Sequence, residues 1–135
     1  AHHAACAVHA GWRGTVQYIT MKAISEMRVA FGSDASALHA VIGPGISLES
    51  FEVGLEVYEE FAQAGFDMDK VARLYDKWHI DLPECNRLQL VASGVLAENI
   101  QTAGIDTFTA TENFFSARRL GKDSGRIYTA IMIEQ

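Results

Sequence analysis

An apolar repeat at helical spacing, preceded by a two-glycine break, constrains this chain most. Val16, Ile19, Ala23, Ile24, Met27 and Phe31 recur every three or four positions, with Gln17, Lys22, Glu26 and Arg28 between them. Residues 15–31 are therefore expected to form one amphipathic helix. Before it, residues 4–9 are small and apolar enough for a buried strand, and Gly11-Trp12-Arg13-Gly14 supplies the turn. After it, Gly32-Ser33-Asp34 ends the helix, and residues 38–42 form a second β-type run stopped by Gly43-Pro44-Gly45. A strand, helix, strand unit favours parallel strands joined by a right-handed crossover, with the loops at the strand ends free for chemistry. The expected class is α/β.

The second half continues the alternation. Leu55, Tyr58, Phe61 and Ala62 predict a shorter helix that Gly65 stops, and residues 78–82 are apolar enough for a short strand. Asp81-Leu82-Pro83-Glu84 then reads as a helix start: Asp81 can cap free N–H groups, Pro83 is tolerated in the first turn, and Glu84 stands three residues after the cap. Leu88, Val91, Ala92 and Val95 are expected to be its buried face, with Gly94 weakening or ending it. Residues 105–110 are a threonine-rich strand candidate and 127–134 the strongest one. There Ile127, Thr129, Ile131 and Ile133 alternate with Tyr128, Ala130 and Met132, and two largely apolar faces suit a central, covered strand. The sum is a mixed β-sheet with flanking helices. With no repeat, linker or low-complexity stretch, residues 1–135 read as one domain.

Composition narrows the function classes. At 135 residues, 49% hydrophobic and 21% charged, the chain is ordered and long enough to bury a core without disulfides or metals as staples. The net charge of -6 comes with scattered basic residues apart from Arg118-Arg119, so no basic face exists for non-specific nucleic-acid binding. Nothing approaches the apolar length of a membrane span or the pattern of a signal peptide, so no membrane partner is expected and cytoplasm is the expected compartment. Cys6 and Cys85 are too few for a disulfide framework and are expected to be free thiols. The chain opens on Ala1-His2-His3, not Met, and goes straight into strand-like sequence. That start is expected to reflect an upstream portion removed or left out.

The segment His9-Ala10-Gly11-Trp12-Arg13-Gly14 carries the best chemistry. Gly11 and Gly14 let a ligand approach the backbone, and the start of a helix offers N–H groups to an anion. Arg13 adds a rigid, always charged fork for carboxylate or phosphate. His9 can bind a metal or move a proton near neutral pH. The alternative is a tight turn with Trp12 in the core and Arg13 paired to a surface carboxylate. If residues 4–9 are extended, Cys6 and His9 face opposite sides and cannot share one metal. His3 shares the face of His9 but lies far along the strand. His2, His39 and His79 are isolated and read as structural or surface histidines, and Cys85 as packed in a helix.

Two further segments are less specific. Phe114-Phe115-Ser116-Ala117-Arg118-Arg119, near Gly125-Arg126, can put one guanidinium into a site and leave the other in solvent, or can simply be a solvated face. Glu52, between apolar neighbours in Phe51-Glu52-Val53-Gly54, is expected to have restricted access to water, as a base or as a structural anchor. The sequence leaves both open.

Taken in order, HAGWRGTV at residues 9–16, IGPGI at 42–46, FEVG at 51–54, Asp81-Leu82 with Asn86 and Leu90, FFSARR at 114–119 and Gly125-Arg126 resemble the YfiH family. This family is also called the multicopper polyphenol oxidase or laccase-domain family and is associated with purine nucleoside phosphorylase activity. The resemblance runs nearly end to end. It implies an α/β fold with mixed sheets and a zinc site of two histidines and a cysteine, with copper in the older family description. It implies cleavage of adenosine, inosine or methylthioadenosine by phosphate and deamination of adenosine, so purine nucleoside and phosphate are the expected partners. Peptidoglycan-precursor editing, phenol oxidation and a non-catalytic interaction role are the alternatives. His9 matches a zinc histidine and Arg13 the motif arginine. Gly11 and Gly14 would bind phosphate or substrate, as would Arg118 and Arg119. The family's other histidine and its cysteine precede the HAGWRG motif, and Cys6 does not match that cysteine. The chain is thus expected to be the C-terminal portion of a larger domain, inactive by itself. An apolar sheet edge beside residues 4–8 would be covered by a second copy or by further chain.

Overall fold

The computed structural model describes residues 3–134, so Ala1, His2 and Gln135 lie outside it. Helix α1 (Trp12–Val16) follows the glycine turn and leads into α2 (Ile19–Phe31). Strand β1 (Ala40–Ile42) comes next, then β2 (Glu52–Val53), α3 (Leu55–Gln63), α4 (Met68–Val71), β3 (Ala72–Leu74) and β4 (Trp78–Ile80). Helix α5 (Leu82–Ala92), β5 (Ile100–Thr102) and α6 (Ala117–Leu120) complete the set. β1 and β5 pair in parallel, Ala40 opposite Ile100 and Ile42 opposite Thr102. β2, β4 and β3 form an antiparallel sheet in that order, with Val53 and Leu74 both opposite Trp78. The mixed α/β class expected from the sequence holds.

Helix α5 is the hub, packing against α1, α2, α4, β1 and β5. Its start follows local chemistry: the Asp81 carboxylate accepts from the Glu84 N–H at 2.9 Å, and Pro83 sits in the first turn. The core gathers Phe51, Val53, Phe61, Val71, Ile80, Leu82 and Cys85, with Trp12 and Val16 of α1 packed against it.

Several expectations are corrected. Residues 15–31 are not one helix, because Tyr18 adopts φ 60° and ψ 39° and separates α1 from α2. A left-handed conformation costs a side-chain-bearing residue about 1–2 kcal/mol. Here tertiary contacts hold it: the Tyr18 hydroxyl donates to the Ala64 carbonyl at 2.5 Å and the ring stacks on Phe66 at 5.2 Å. The apolar spacing spans the break undisturbed, so no sequence signal marks it. Residues 4–9 and 127–134 are not strands; both run without regular structure, and Tyr128 is 96% exposed. A strand exists through its ladder, and no strand among the described residues pairs with either segment. The crossover unit expected from 4–9 through 38–42 is therefore absent, and β1 takes β5 as its parallel neighbour.

Residues 105–110 likewise fold as turns, joined to the parallel pair only by a bridge between Gly45 and Asp106. The Asp106 carboxylate accepts from the Phe108 N–H at 2.9 Å, and the Asp106 carbonyl accepts from the Ala110 N–H. Such local acceptors compete with a ladder. Finally, α5 buries Leu82, Cys85, Asn86, Gln89 and Leu90, while Val91 and Ala92 of the expected face are exposed.

Candidate functional site

Gly11 has extended backbone and stands immediately before α1. Its carbonyl accepts from the Thr15 N–H at 2.8 Å, closing the turn around Trp12, Arg13 and Gly14. The His9 ring folds back over Gly11: a Cβ there would stand 2.9 Å from its Nε2. Gly14 is also closely approached, with room for a Cβ only 3.3 Å from a methyl group of Ile19 and 3.6 Å from the His9 carbonyl. Trp12 packs toward the core, and the exposed Arg13 guanidinium lies 4.4 Å from the Trp12 ring centroid. Among the described residues no carboxylate pairs with Arg13, so the surface ion pair weighed from sequence does not form. His9, Gly11 and Gly14 thus come together, and Arg13 stands on the same turn with its guanidinium on Trp12.

Beneath the turn lies a polar network that sequence reasoning missed. Thr15 is fully buried, and its hydroxyl donates to the Ala10 carbonyl at 3.2 Å. It accepts from the Asn86 amide at 3.0 Å, and that amide also donates to the Leu82 carbonyl at 2.9 Å. The Asn86 oxygen accepts from the Thr20 hydroxyl at 2.6 Å, and the Gln89 amide donates to the Thr15 carbonyl at 2.9 Å. The available signal was a pair of amides three apart on the core face of α5, beside the capping residues.

Arg118 and Arg119 sit in the short helix α6, opened by Ser116, and diverge. Arg118 donates from Nη1 to the Glu52 carbonyl at 2.7 Å and lies over the Phe51 ring. Arg119 donates from Nη1 to the Phe108 carbonyl at 2.8 Å and lies over the Phe108 ring. Neither makes a hydrogen bond to the 9–14 turn among the described residues. Glu52, expected to have restricted access to water, is exposed and pairs with Lys77 at 2.7 Å, and that hydrogen bond holds its carboxyl below the usual range.

A cleft of about 220 Å³ lies elsewhere, between the Gly43–Ser47 loop, the start of α5 and the segment around Asp106. Asp106 accepts from the Ser50 hydroxyl, the Ser47 hydroxyl and the Ser47 and Phe108 N–H groups. Burial would raise its carboxyl, but these donors together outweigh that and hold it low. Asp81 on the same cleft moves the other way, pushed up first by burial and further by the nearby charges of Glu84 and Glu49.

The donor set for a metal is incomplete. His3, Cys6 and His9 are exposed, and the Nδ1 of His79 meets the Leu48 carbonyl at 2.8 Å. Among the described residues no three His, Cys, Asp or Glu side chains converge as a metal site. One imidazole does not make the centre that the resemblance implies, so these residues do not fit a complete zinc or copper site. No helix among them is long and apolar enough to cross a membrane.

Comparison with known proteins agrees with this fold. The chain is 49% identical over 137 residues to a purine nucleoside phosphorylase of Bacteroides thetaiotaomicron, covering 99% of this chain and 51% of that protein. It is 46% identical over 126 residues to an adenosine deaminase from an unknown prokaryotic organism, covering 91% and 48%. The crystal structure of the hypothetical protein YfiH of Bacillus licheniformis superposes with a TM-score of 0.75 at 28% identity, covering 83% of this chain and 43% of that one. YlmD from Geobacillus stearothermophilus gives 0.74 at 30% identity, with the same coverage. The chain spans about half the length of the curated relatives it matches. The family model described as multi-copper polyphenol oxidoreductase laccase matches residues 1–134, and the chain belongs to that family.

Proposed function

We propose that this chain takes part in phosphate-dependent cleavage of a purine nucleoside. The observation that carries the proposal is the exposed, carboxylate-free Arg13 on a closed glycine turn beside His9, in a chain 49% identical to a protein named purine nucleoside phosphorylase. In the reaction a phosphate oxygen bonds to the anomeric carbon while the bond to the purine nitrogen breaks. The electron pair leaves with the base, which takes up a proton, and the sugar 1-phosphate is the other product.

Arg13 supplies the cation that holds phosphate, and Gly11 and Gly14, lacking side chains, let His9 and Ile19 pack close against the turn that presents it. His9 stands at the same turn, where an imidazole can hand a proton to the departing base. Arg118 and Arg119 each commit one nitrogen to a backbone carbonyl and have further N–H donors to offer a nucleoside. Any zinc that His9 ligates takes its remaining ligands from outside the described residues. Deamination of adenosine is a second reading, favoured by the relative named adenosine deaminase.

The test incubates inosine with and without phosphate and measures hypoxanthine and ribose 1-phosphate. It uses the chain alone and the chain joined to the half of the Bacteroides relative that it does not match. The joined protein is expected to release hypoxanthine only with phosphate, and the chain alone to be inactive. R13A is expected to lower kcat/KM for phosphate about 10–100-fold. Phosphate-independent release, or an R13A protein with unchanged kcat/KM for phosphate, would overturn the proposal.

A further inference from the structure

We propose that Asn86 and Thr15 form a positioning device for the 9–14 turn, setting where His9 and Arg13 stand. The inference rests on the function proposed for that turn. Thr15 occupies the only place where turn and hub meet through buried polar atoms among the described residues: its hydroxyl reaches back to Ala10, next to His9, and forward to Asn86 on α5. Asn86 is in turn fixed from two sides, by its own helix at Leu82 and by α2 at Thr20. The Leu82 carbonyl can only accept, so rotating the amide by half a turn would set two oxygens against each other there, and this fixes which way Asn86 points.

The network has a cost that packing alone does not explain. Gln89 donates its amide to the Thr15 carbonyl, yet its Oε1, fully buried, has no partner among the described residues. A buried polar atom without a partner is unfavourable, and apolar side chains of the same volume would fill this site without it. Polar networks of this kind fix one arrangement where apolar packing tolerates several. The arrangement fixed here is the turn that carries His9 and Arg13, because Thr15 holds it through its hydroxyl, its carbonyl and its N–H.

The experiment compares wild type, T15V, T15S and N86D of the 135-residue chain by nuclear magnetic resonance. Inorganic phosphate serves as the probe. T15V removes the hydroxyl at constant shape, T15S keeps it, and N86D keeps the acceptor while losing the amide donor. T15V and N86D are expected to move the Gly11, Arg13, Gly14 and His9 ring signals, with Phe61 and Ile80 unmoved, and to weaken phosphate at the turn at least about tenfold. T15S is expected to restore both.

Hydrogen exchange at the Thr15 amide separates failure of positioning from failure of function. Should wild type ignore phosphate, the functional proposal fails, while faster exchange of the amide at position 15 in T15V with recovery in T15S still supports positioning. Unmoved turn signals and unchanged exchange of the amide at position 15 in T15V would overturn the positioning role, as would T15S behaving like T15V. Should T15V not fold, N86D supplies the same comparison.

Discussion

The His9 ring lies so close to Gly11 that its Nε2 stands 2.9 Å from where a Cβ on that glycine would be. Gly11 has φ -66°, a conformation open to any residue, so the backbone does not require glycine there. The ring requires it. G11A is therefore expected to cost less than about 1 kcal/mol in chemical denaturation, since an exposed imidazole can swing away and alanine is only a poorer helix cap. The same change is expected to shift the His9 ring signals and to lower phosphate-dependent activity of the joined protein. Full activity with a displaced ring would show that His9 does not act from its present place.

Asp106 is held ionised by Ser47, Ser50 and the Phe108 N–H, and its folded pKa lies below its ordinary value of 3.8. Because the folded state favours the carboxylate, its contribution is full above that ordinary value and is lost as pH falls through the folded one. D106A is expected to cost about 1–2 kcal/mol at neutral pH, by leaving those donors without an acceptor. The gap between wild type and D106A, measured by urea denaturation, is expected to shrink on acidification below pH 4. A gap that is flat or widens in acid would contradict this account.

Asp81 carries the opposite sign. Burial raises its carboxyl above the ordinary 3.8, so its contribution is full below that value and declines as pH rises through the folded one. Asparagine keeps an acceptor for the Glu84 N–H and cannot ionise. D81N is thus expected to match or exceed wild type near pH 7, whereas D81A loses about 1 kcal/mol of helix cap. Denaturation at pH 4 and pH 7 checks this: wild type should lose ground to D81N at the higher pH.

Legibility from sequence followed the range of the forces involved. The cap at Asp81 and Pro83, the helix after Gly54 and the short strand at Trp78 were legible because each rests on neighbours within a few residues. Tyr18 was not, since its left-handed backbone depends on Ala64 and Phe66, more than forty positions away. Nor were residues 4–9 and 127–134, where alternation shows strand propensity but cannot show whether a partner strand is present. For the site, glycine, histidine and arginine were legible as a cluster within six residues, while the Thr15–Asn86 contact spans 71. Glu52 misled because apolar neighbours in sequence do not bury a side chain that points out of a strand.

The exposed 127–134 segment separates propensity from structure most sharply. Its alternation is the clearest strand pattern in the chain, yet Tyr128 is 96% exposed. Phe61 in α3 is fully buried against Val71, Ile80 and Cys85. F61A is therefore expected to cost about 3–5 kcal/mol through lost burial and the cavity left behind. Y128A is expected to change stability by less than about 0.5 kcal/mol, because it removes surface that is already in water. The measurement is the urea midpoint of each variant at equal protein concentration. A loss in Y128A comparable to that in F61A would mean that 127–134 is packed in solution, as its alternation predicts, and that the segment finds a cover these residues do not supply.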